Sequence, residues 1–185
     1  MFNTKNIIKS IAISTFSATL LLGTAQTWAA GVHGGGGGQS SIGTAGKAAS
    51  VTRNINIKMM DNFFEPKEIS VKEGETIRFI VKNAGELVHE FNIGTTAIHG
   101  AHEKEMEMMV EHGALEPDKI NHAKMKMDMG GGKTMGHSDP NSVLLEPEKS
   151  GEVIWKFSEA SKIEFACNVP GHYDAGMTGA IRFSH

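Results

Sequence analysis

The stretch CNVPGHYDAGM at residues 167–177 decides the fold of this chain. A thiol (Cys167), an imidazole (His172) and a thioether (Met177) follow one another in it, with four residues between successive members. An alternating apolar run ends at Cys167 and a last apolar run begins at Met177, so the three side chains leave one loop between two strands. Sulfur donors combined with imidazole select copper, and two His, one Cys and a weak axial Met describe an electron-transfer copper site.

The second imidazole of such a site has to come from elsewhere in the chain. We expect His89 to supply it, because this residue follows the turn at residues 83–85 and begins an apolar run that reads as a strand. A lone histidine is more often a surface or hydrogen-bonded residue, and a Met before a final strand is often part of the core. Cys167 and His172 also fit a nucleophile and its base, although no third group that would orient such a pair is recognisable.

Cys167 is the one cysteine of the sequence, so it cannot form a disulfide within the chain. A lone thiol in an oxidising compartment is a liability unless something protects it. A metal ion protects it by holding the sulfur as a bound thiolate, which agrees with the copper interpretation.

Short apolar alternations recur outside the loop, with turn residues about every ten positions, and they predict an all-β sandwich or barrel over residues 51–185. We count seven or eight strands that suit antiparallel pairing, and no convincing core helix. The alternating residues are Ile55 and Ile57, then Ile69 and Val71, then Ile77, Phe79 and Val81, and after the middle of the chain Val153, Trp155 and Phe157, followed by Ile163, Phe165 and Cys167.

The alternation stops between about residues 95 and 140, in an insertion rich in Met and His. Residues 103–112 could form a short helix. Thioethers prefer copper(I) and imidazoles bind either oxidation state, so weak additional copper binding in this insertion is one hypothesis, and a solvated loop without a role is the other. The residues concerned are Met106, Met108, Met109, Met125, Met127, Met129 and Met135, with His99, His102, His112, His122 and His137.

The first 29 residues have the layout of a secretory signal peptide: Lys5 and Lys9, an apolar run over residues 11–23, and small residues before a cleavage point after Ala29. A membrane anchor is the alternative, but the apolar run is shorter than the ~20 residues that a spanning helix needs. Residues 30–50 are rich in Gly, Ser and Ala and predict a flexible leader. We therefore expect a periplasmic protein without stable membrane insertion.

The sequence carries 18 Lys and Arg against 21 Asp and Glu, a formal net charge of −3. Removal of Lys5 and Lys9 with the signal peptide changes this charge to −5. A mildly acidic chain without a basic patch gives no reason to expect a nucleic acid as partner.

These residues bring the chain close to a known family, the cupredoxins. The resemblance covers about residues 51–94 and 140–185, and the ligand loop is its most specific part; its end is similar to that of plastocyanin and pseudoazurin. It rests on FEP at 64–66, ISVKEGETIRF at 69–79, NAGELVHEF at 83–91 and TGAI at 178–181, together with the loop at 167–177.

The resemblance implies a Greek-key β-sandwich that holds one copper ion near one end through His89, Cys167, His172 and Met177. Two features depart from the plastocyanin pattern. The gap between Cys167 and His172 is longer, and Glu90 stands where many cupredoxins have an Asn that ties the ligand loops together. With the Met/His-rich insertion, these features look most like the periplasmic copper-resistance cupredoxins of the CopI kind.

Two functions compete for such a protein. The first is copper tolerance by binding or redox cycling of copper; the second is one-electron transfer between redox protein partners. The insertion favours the first, since a carrier has little use for it. We expect no enzyme, because a multicopper oxidase needs further histidine clusters and a dinuclear thiolate-bridged centre needs two cysteines.

Overall fold

The computed structural model describes residues 42–126, 136–158 and 162–184. The predicted signal peptide (1–29) and the first part of the predicted leader (30–41) lie outside these residues. Within the described residues, no helix is both long and apolar enough to cross a lipid bilayer.

Two five-stranded sheets form the core of the described chain, in the orders β1-β8-β5-β2-β3 and β4-β10-β9-β6-β7. The all-β sandwich predicted from the sequence is thus confirmed. The ten strands of the described part are β1 (Thr44–Ala45), β2 (Arg53–Met60), β3 (Phe63–Glu65), β4 (Glu68–Val71), β5 (Thr76–Asn83), β6 (His89–Gly94), β7 (Ser142–Leu145), β8 (Ser150–Lys156), β9 (Glu164–Ala166) and β10 (Thr178–Phe183).

The alternating residues of the strands point between the sheets. Phe79 of the first sheet packs against Phe91 of the second with ring centroids 5.2 Å apart, and Phe64 packs edge-on against Phe165 at 5.1 Å. All four rings are fully buried. Burial of a side chain of this size contributes about 1.5–3 kcal/mol, so this aromatic cluster is a main contribution to the stability of the sandwich.

Two strand pairs are parallel rather than antiparallel: β2 with β5 and β4 with β10. The sequence showed that the strands suit antiparallel pairing, and the structure adds these two parallel pairs. Alternation of apolar residues shows which face of a strand is buried but carries no information about which strand lies beside it.

The folded part of the chain begins earlier than the predicted boundary at residue 51. Ile42 is fully buried, and its carbonyl accepts a hydrogen bond from Nε1 of Trp155 at 3.0 Å. Thr44 and Ala45 then pair with β8. The last part of the predicted leader is therefore an edge strand of the first sheet.

The insertion contains one long helix, α1 (Thr96–Glu111), where the sequence indicated a shorter one. Oγ1 of Thr95 caps it by accepting a hydrogen bond from the Ile98 N–H at 3.3 Å. Met106 and Met109 are buried and join the hydrophobic core. This part of the insertion is therefore packed against the sandwich instead of forming a solvated loop. Short 3₁₀ turns at Ala48–Ser50 and Lys124–Lys126 complete the described elements.

Three strand ends meet at one end of the second sheet. β6 begins at His89, β9 ends at Ala166 immediately before Cys167, and β10 begins at Thr178 immediately after Met177. β9 pairs antiparallel with both β6 and β10, so the start of β6, the end of β9 and the start of β10 are neighbours.

Candidate metal centre

Three nitrogen and sulfur atoms converge at this end of the sandwich. Nδ1 of His172 lies 3.3 Å from Sγ of Cys167, Nδ1 of His89 lies 3.9 Å from the same sulfur, and the two Nδ1 atoms are 3.2 Å apart. Each residue thus offers one donor atom to a common point, and the three donors are mutually within 4.8 Å. The structure brings together three of the four residues proposed from the sequence, close enough to share one ion.

Met177, the fourth residue, is fully buried, and backbone hydrogen bonds join it to Cys167 and His172. Its carbonyl accepts from the Cys167 N–H at 3.1 Å, and its own N–H donates to the carbonyl of His172 at 3.0 Å. Gly171 and Gly176 take positive φ angles of 84° and 89° in the same loop, conformations that other residues adopt at a cost. These contacts hold the loop closed between β9 and β10.

Burial controls the protonation of all three donors. It raises the pKa of the Cys167 thiol to about 12, and it lowers the pKa of the imidazoles of His89 and His172. The two histidines are therefore neutral near pH 7, as metal ligands must be. A fully buried thiol with a raised pKa is a poor nucleophile, which argues against the alternative of a catalytic Cys–His pair.

The backbone N–H of Glu90 donates to Sγ of Cys167 at 3.3 Å. Such a donor stabilises negative charge on a buried sulfur, and it is the kind of contact that tunes a bound thiolate. Strand β6 thus supports the cluster twice, through the side chain of His89 and through the amide of the next residue.

Asp61 fixes the orientation of His89. Its Oδ1 accepts a hydrogen bond from Nε2 of His89 at 2.8 Å, and the same carboxylate accepts from the N–H of Glu86 and of Leu87. The hydrogen bond from His89 holds the pKa of Asp61 below its usual value although burial works against it. A neutral His89 that donates from Nε2 carries its lone pair on Nδ1, which faces Cys167.

Sequence reasoning missed Asp61, which lies in the turn between β2 and β3. The available signal was a carboxylate in a turn next to Asn62, which has a positive φ of 68°, and such turns are common without a function. The separation of 28 positions between Asp61 and His89 left no spacing pattern that would join them.

Glu90 performs the bridging that the sequence analysis associated with Asn at this position. Its Oε2 accepts from the side-chain amide of Asn168 at 2.8 Å and from the backbone N–H of Asn168 at 3.3 Å. Glu90 follows His89 and Asn168 follows Cys167, so the two ligand-bearing segments are tied together one residue beyond each donor.

A second group of donors surrounds the other carboxylate oxygen of Glu90. Nε2 of His102 lies 3.0 Å and Nε2 of His137 lies 2.6 Å from Oε1. Burial works to raise the pKa of Glu90, but the two imidazoles outweigh it and hold that pKa well below its usual value. Burial opposes charge on His102 as well, yet the carboxylates of Glu90 and Glu105 raise its pKa to about 10.

The other insertion residues named from the sequence have varied surroundings. His99 is buried beside the ring of Tyr173, with centroids 5.7 Å apart, whereas His112, His122 and Met108 are exposed. Met125 is partly buried against the core. Met127, Met129 and Met135 lie outside the described residues.

Comparison with solved structures shows that the auracyanins share this fold. The reduced auracyanin of Roseiflexus castenholzii matches with a TM-score of 0.51 at 20% identity, over 73% of this chain and 99% of that protein. The model of the cupredoxin-like domain family matches residues 38–99. The class that the fold and the donor cluster define is thus the cupredoxins.

Curated relatives narrow the class to one family. The copper-resistant cuproprotein CopI of Pseudomonas aeruginosa is 46% identical over 147 residues, which cover 76% of this chain and 81% of that protein. CopI of Rubrivivax gelatinosus is 39% identical over 140 residues, covering 75% of this chain and 71% of that protein. The chain belongs to the CopI family of cupredoxins.

Proposed function

We propose that this chain is a periplasmic protein that binds one copper ion in a redox-active type 1 site and acts in copper tolerance. His89, Cys167, His172 and Met177 are the proposed ligands. The observation that carries the proposal is the convergence of two Nδ1 atoms and one Sγ within 3.2–3.9 Å of one another.

The donor set fits copper better than other common ions. Thiolate and thioether sulfur favour copper, and a His₂Cys set with a weak axial Met is typical of sites whose copper changes between Cu(II) and Cu(I). Cys167, His89 and Met177 have no exposed surface, and the fully buried Phe91 and Phe165 lie two positions from His89 and Cys167 along the chain, so we expect little water at these donors. Bound copper would supply the one-electron change, and the chain's own residues hold the donors in place.

Each proposed ligand has a distinct role. Cys167 supplies the strongest donor, Met177 the weak axial one, and His89 is locked by Asp61 in the tautomer that presents Nδ1. His172 is only half-buried, whereas His89 has no exposed surface. The exposed edge of His172 is therefore the proposed path for an electron between the site and a partner protein.

Export is proposed on the N-terminal sequence. Residues 1–29 have the basic start, apolar middle and small-residue end of a signal peptide. An oxidising periplasm also gives a reason why a chain with one thiol keeps it buried and available to a metal.

Copper tolerance is favoured over a dedicated electron carrier for two reasons. The curated relatives carry the name copper-resistant cuproprotein, and the insertion packs two further histidines against β6, where electron transfer alone needs none. The carrier function remains the alternative, and the partly exposed His172 supports it. A role as a binding protein rather than an enzyme agrees with both.

Growth on copper tests this function. A strain that lacks the gene should become copper-sensitive, and the intact gene should restore growth while Cys167→Ser, expressed to the same level in the periplasm, should not. Equal copper tolerance of the deletion strain and its parent would exclude the role in tolerance. Full rescue by Cys167→Ser would exclude the type 1 site as its cause.

A further inference from the structure

A second set of metal-ligand side chains lies on the opposite face of β6 from the first. Side chains of a strand alternate between its two faces, so His89 and Phe91 point into the sandwich and Glu90 points outward, under the insertion. There it meets His102 from the middle of α1 and His137 from the segment before β7. We propose that Glu90, His102 and His137 form a second metal site that binds copper(II).

The spacing of the donors fits a single ion. Oε1 of Glu90 is 3.0 Å from Nε2 of His102 and 2.6 Å from Nε2 of His137, and the two nitrogens are 3.0 Å apart. Ligands that each lie about 2.1 Å from one ion, at angles of 90–110°, are roughly 3.0–3.4 Å from one another. The two 3.0 Å spacings match this range, and the 2.6 Å spacing between Glu90 and His137 is a hydrogen-bond distance that would lengthen by a few tenths of an ångström around an ion. These three donors are as close together as the nitrogen and sulfur donors of the first site.

The hydrogen bond on the far side of His102 directs a lone pair into the cluster. Nδ1 of His102 lies 3.0 Å from Oε2 of Glu105, and a carboxylate there can only accept. Binding of a metal ion displaces a proton from the imidazole, and a His102 that keeps only the proton on Nδ1 presents Nε2 to the ion beside His137 and Glu90. A carboxylate that orients a histidine through its other nitrogen is the usual outer partner of a metal-bound imidazole.

Glu90 is held in place from both of its oxygens. Asn168 donates to Oε2 from its backbone and side chain, and the side chain of Asn92 donates to Oε1 at 3.1 Å. Glu90 has no exposed surface, and the side chains of His102 and His137 are 9% and 5% exposed. Burial of a carboxylate is costly without a cation to compensate it; the two imidazoles supply that compensation in the metal-free protein, and a metal ion between the three side chains would take it over.

The chemistry of the donors selects copper(II). Imidazole nitrogen and carboxylate oxygen suit divalent first-row ions, and among these the affinity of a given site is highest for Cu²⁺. The cluster contains none of the sulfur that copper(I) prefers. The two sites therefore differ in preference: the first accommodates both oxidation states, and the second retains the oxidised ion.

The two sites are joined through neighbouring residues. His89 and Cys167 belong to the first, and the residues that follow them, Glu90 and Asn168, belong to the second and to its support. This second site needs neither Cys167 nor Met177. The proposal of a second site can therefore be right even if the type 1 proposal is wrong.

Copper stoichiometry of the metal-free, full-length mature protein tests the inference. Copper(II) is added in steps, bound copper is counted after desalting, and the thiolate absorption band is followed in parallel. We expect two bound equivalents, of which one produces the band. His137→Ala should bind one equivalent with the band unchanged, whereas the exposed controls His112→Ala and His122→Ala should keep two. Saturation of the native protein at one equivalent that produces the band, or two equivalents on His137→Ala, would overturn the second site, whereas one equivalent without the band would contradict the type 1 proposal instead.

A measurement on the native protein avoids dependence on the folding of a variant. With the sulfur-containing site filled by silver(I), which is silent in electron paramagnetic resonance, one equivalent of copper(II) is added. The pulsed spectrum should show couplings to two imidazoles. Couplings to one imidazole or to none would overturn the assignment. Absence of the thiolate band from the titration without silver(I), with these couplings intact, would contradict the type 1 proposal alone.

Discussion

Asp61 and His89 are joined by a 2.8 Å hydrogen bond that determines which nitrogen of His89 faces Cys167. The bond passes over Gly85, whose missing side chain leaves room for it: a Cβ there would lie 2.9 Å from Nε2 of His89 and would collide with Oδ1 of Asp61. A turn, a carboxylate and a glycine thus act together to orient one proposed ligand.

Removal of the Asp61 carboxylate should weaken copper binding without abolishing it. Asp61→Ala leaves His89 free to rotate and change tautomer, and loss of such an orienting partner typically costs 10–100-fold in metal affinity. Asp61→Asn keeps an acceptor oxygen and should lose less. Competition with a copper chelator measures the affinity, and Asp118→Ala, an exposed carboxylate in the insertion, is the control. Equal affinity of Asp61→Ala and the native protein would show that Asp61 does not orient the ligand.

A side chain at position 85 should also lower the copper affinity, because it would displace Asp61 and His89 from each other. Gly85→Ala forces Asp61 and His89 apart, so we expect lower copper affinity and lower stability of the metal-free protein. Gly100→Ala is the matched control, because a Cβ at Gly100 meets nothing within 4 Å and lies inside α1. In a helix interior Ala is favoured over Gly by about 0.5–1 kcal/mol, so Gly100→Ala should raise the urea midpoint while Gly85→Ala lowers it. The reverse order of the two midpoints would contradict the packing described around Gly85.

Ile42 is buried in the folded domain, so its truncation should lower the free energy of unfolding substantially. Ile42→Ala should destabilise the protein by about 2–5 kcal/mol, the usual range for truncating a buried Ile, as measured by urea unfolding. Ile80→Ala on β5 is the control, since Ile80 is 41% exposed, and it should cost far less. Similar small losses for both variants would mean that the chain before residue 51 contributes little to the fold.

Replacement of Met177 should raise the reduction potential of the bound copper and leave the thiolate absorption band in place. Met177→Leu keeps the buried volume and the backbone hydrogen bonds to Cys167 and His172, so copper should still bind and the thiolate band should persist. Loss of a weak donor disfavours Cu(II) relative to Cu(I), and the reduction potential measured by voltammetry should rise. Met109→Leu, at a buried position of α1, is the control. An unchanged potential for Met177→Leu would remove Met177 from the proposed ligand set.

The sequence correctly predicted the features that depend on the order of neighbouring residues. Alternation gave the strands and the sandwich, and the donor spacing in residues 167–177 singled out the loop that the structure closes between β9 and β10. His89 could be proposed as a ligand from the sequence because it is a histidine at the start of an apolar run that follows a turn. The ligand roles themselves stay predictions.

The features that the sequence did not predict depend on contacts between residues far apart in the chain. Asp61, Glu105 and Asn168 matter through the partners that folding brings to them. Ile42 lies next to a Gly- and Ser-rich stretch. The composition of that stretch predicts a flexible segment and gives no sign that one isoleucine in it is buried. The cap at Thr95 was visible as a residue type, but the length of α1 depends on the packing of Met106 and Met109 against the core.

The most direct test of the central claim is a visible absorption titration of the metal-free mature protein with copper(II), beside Cys167→Ser. We expect one intense thiolate-to-copper band whose final intensity corresponds to one bound equivalent and which is absent from the variant. A folded protein that shows no such band, or a band that persists in Cys167→Ser, would contradict the assignment of Cys167 as a copper ligand.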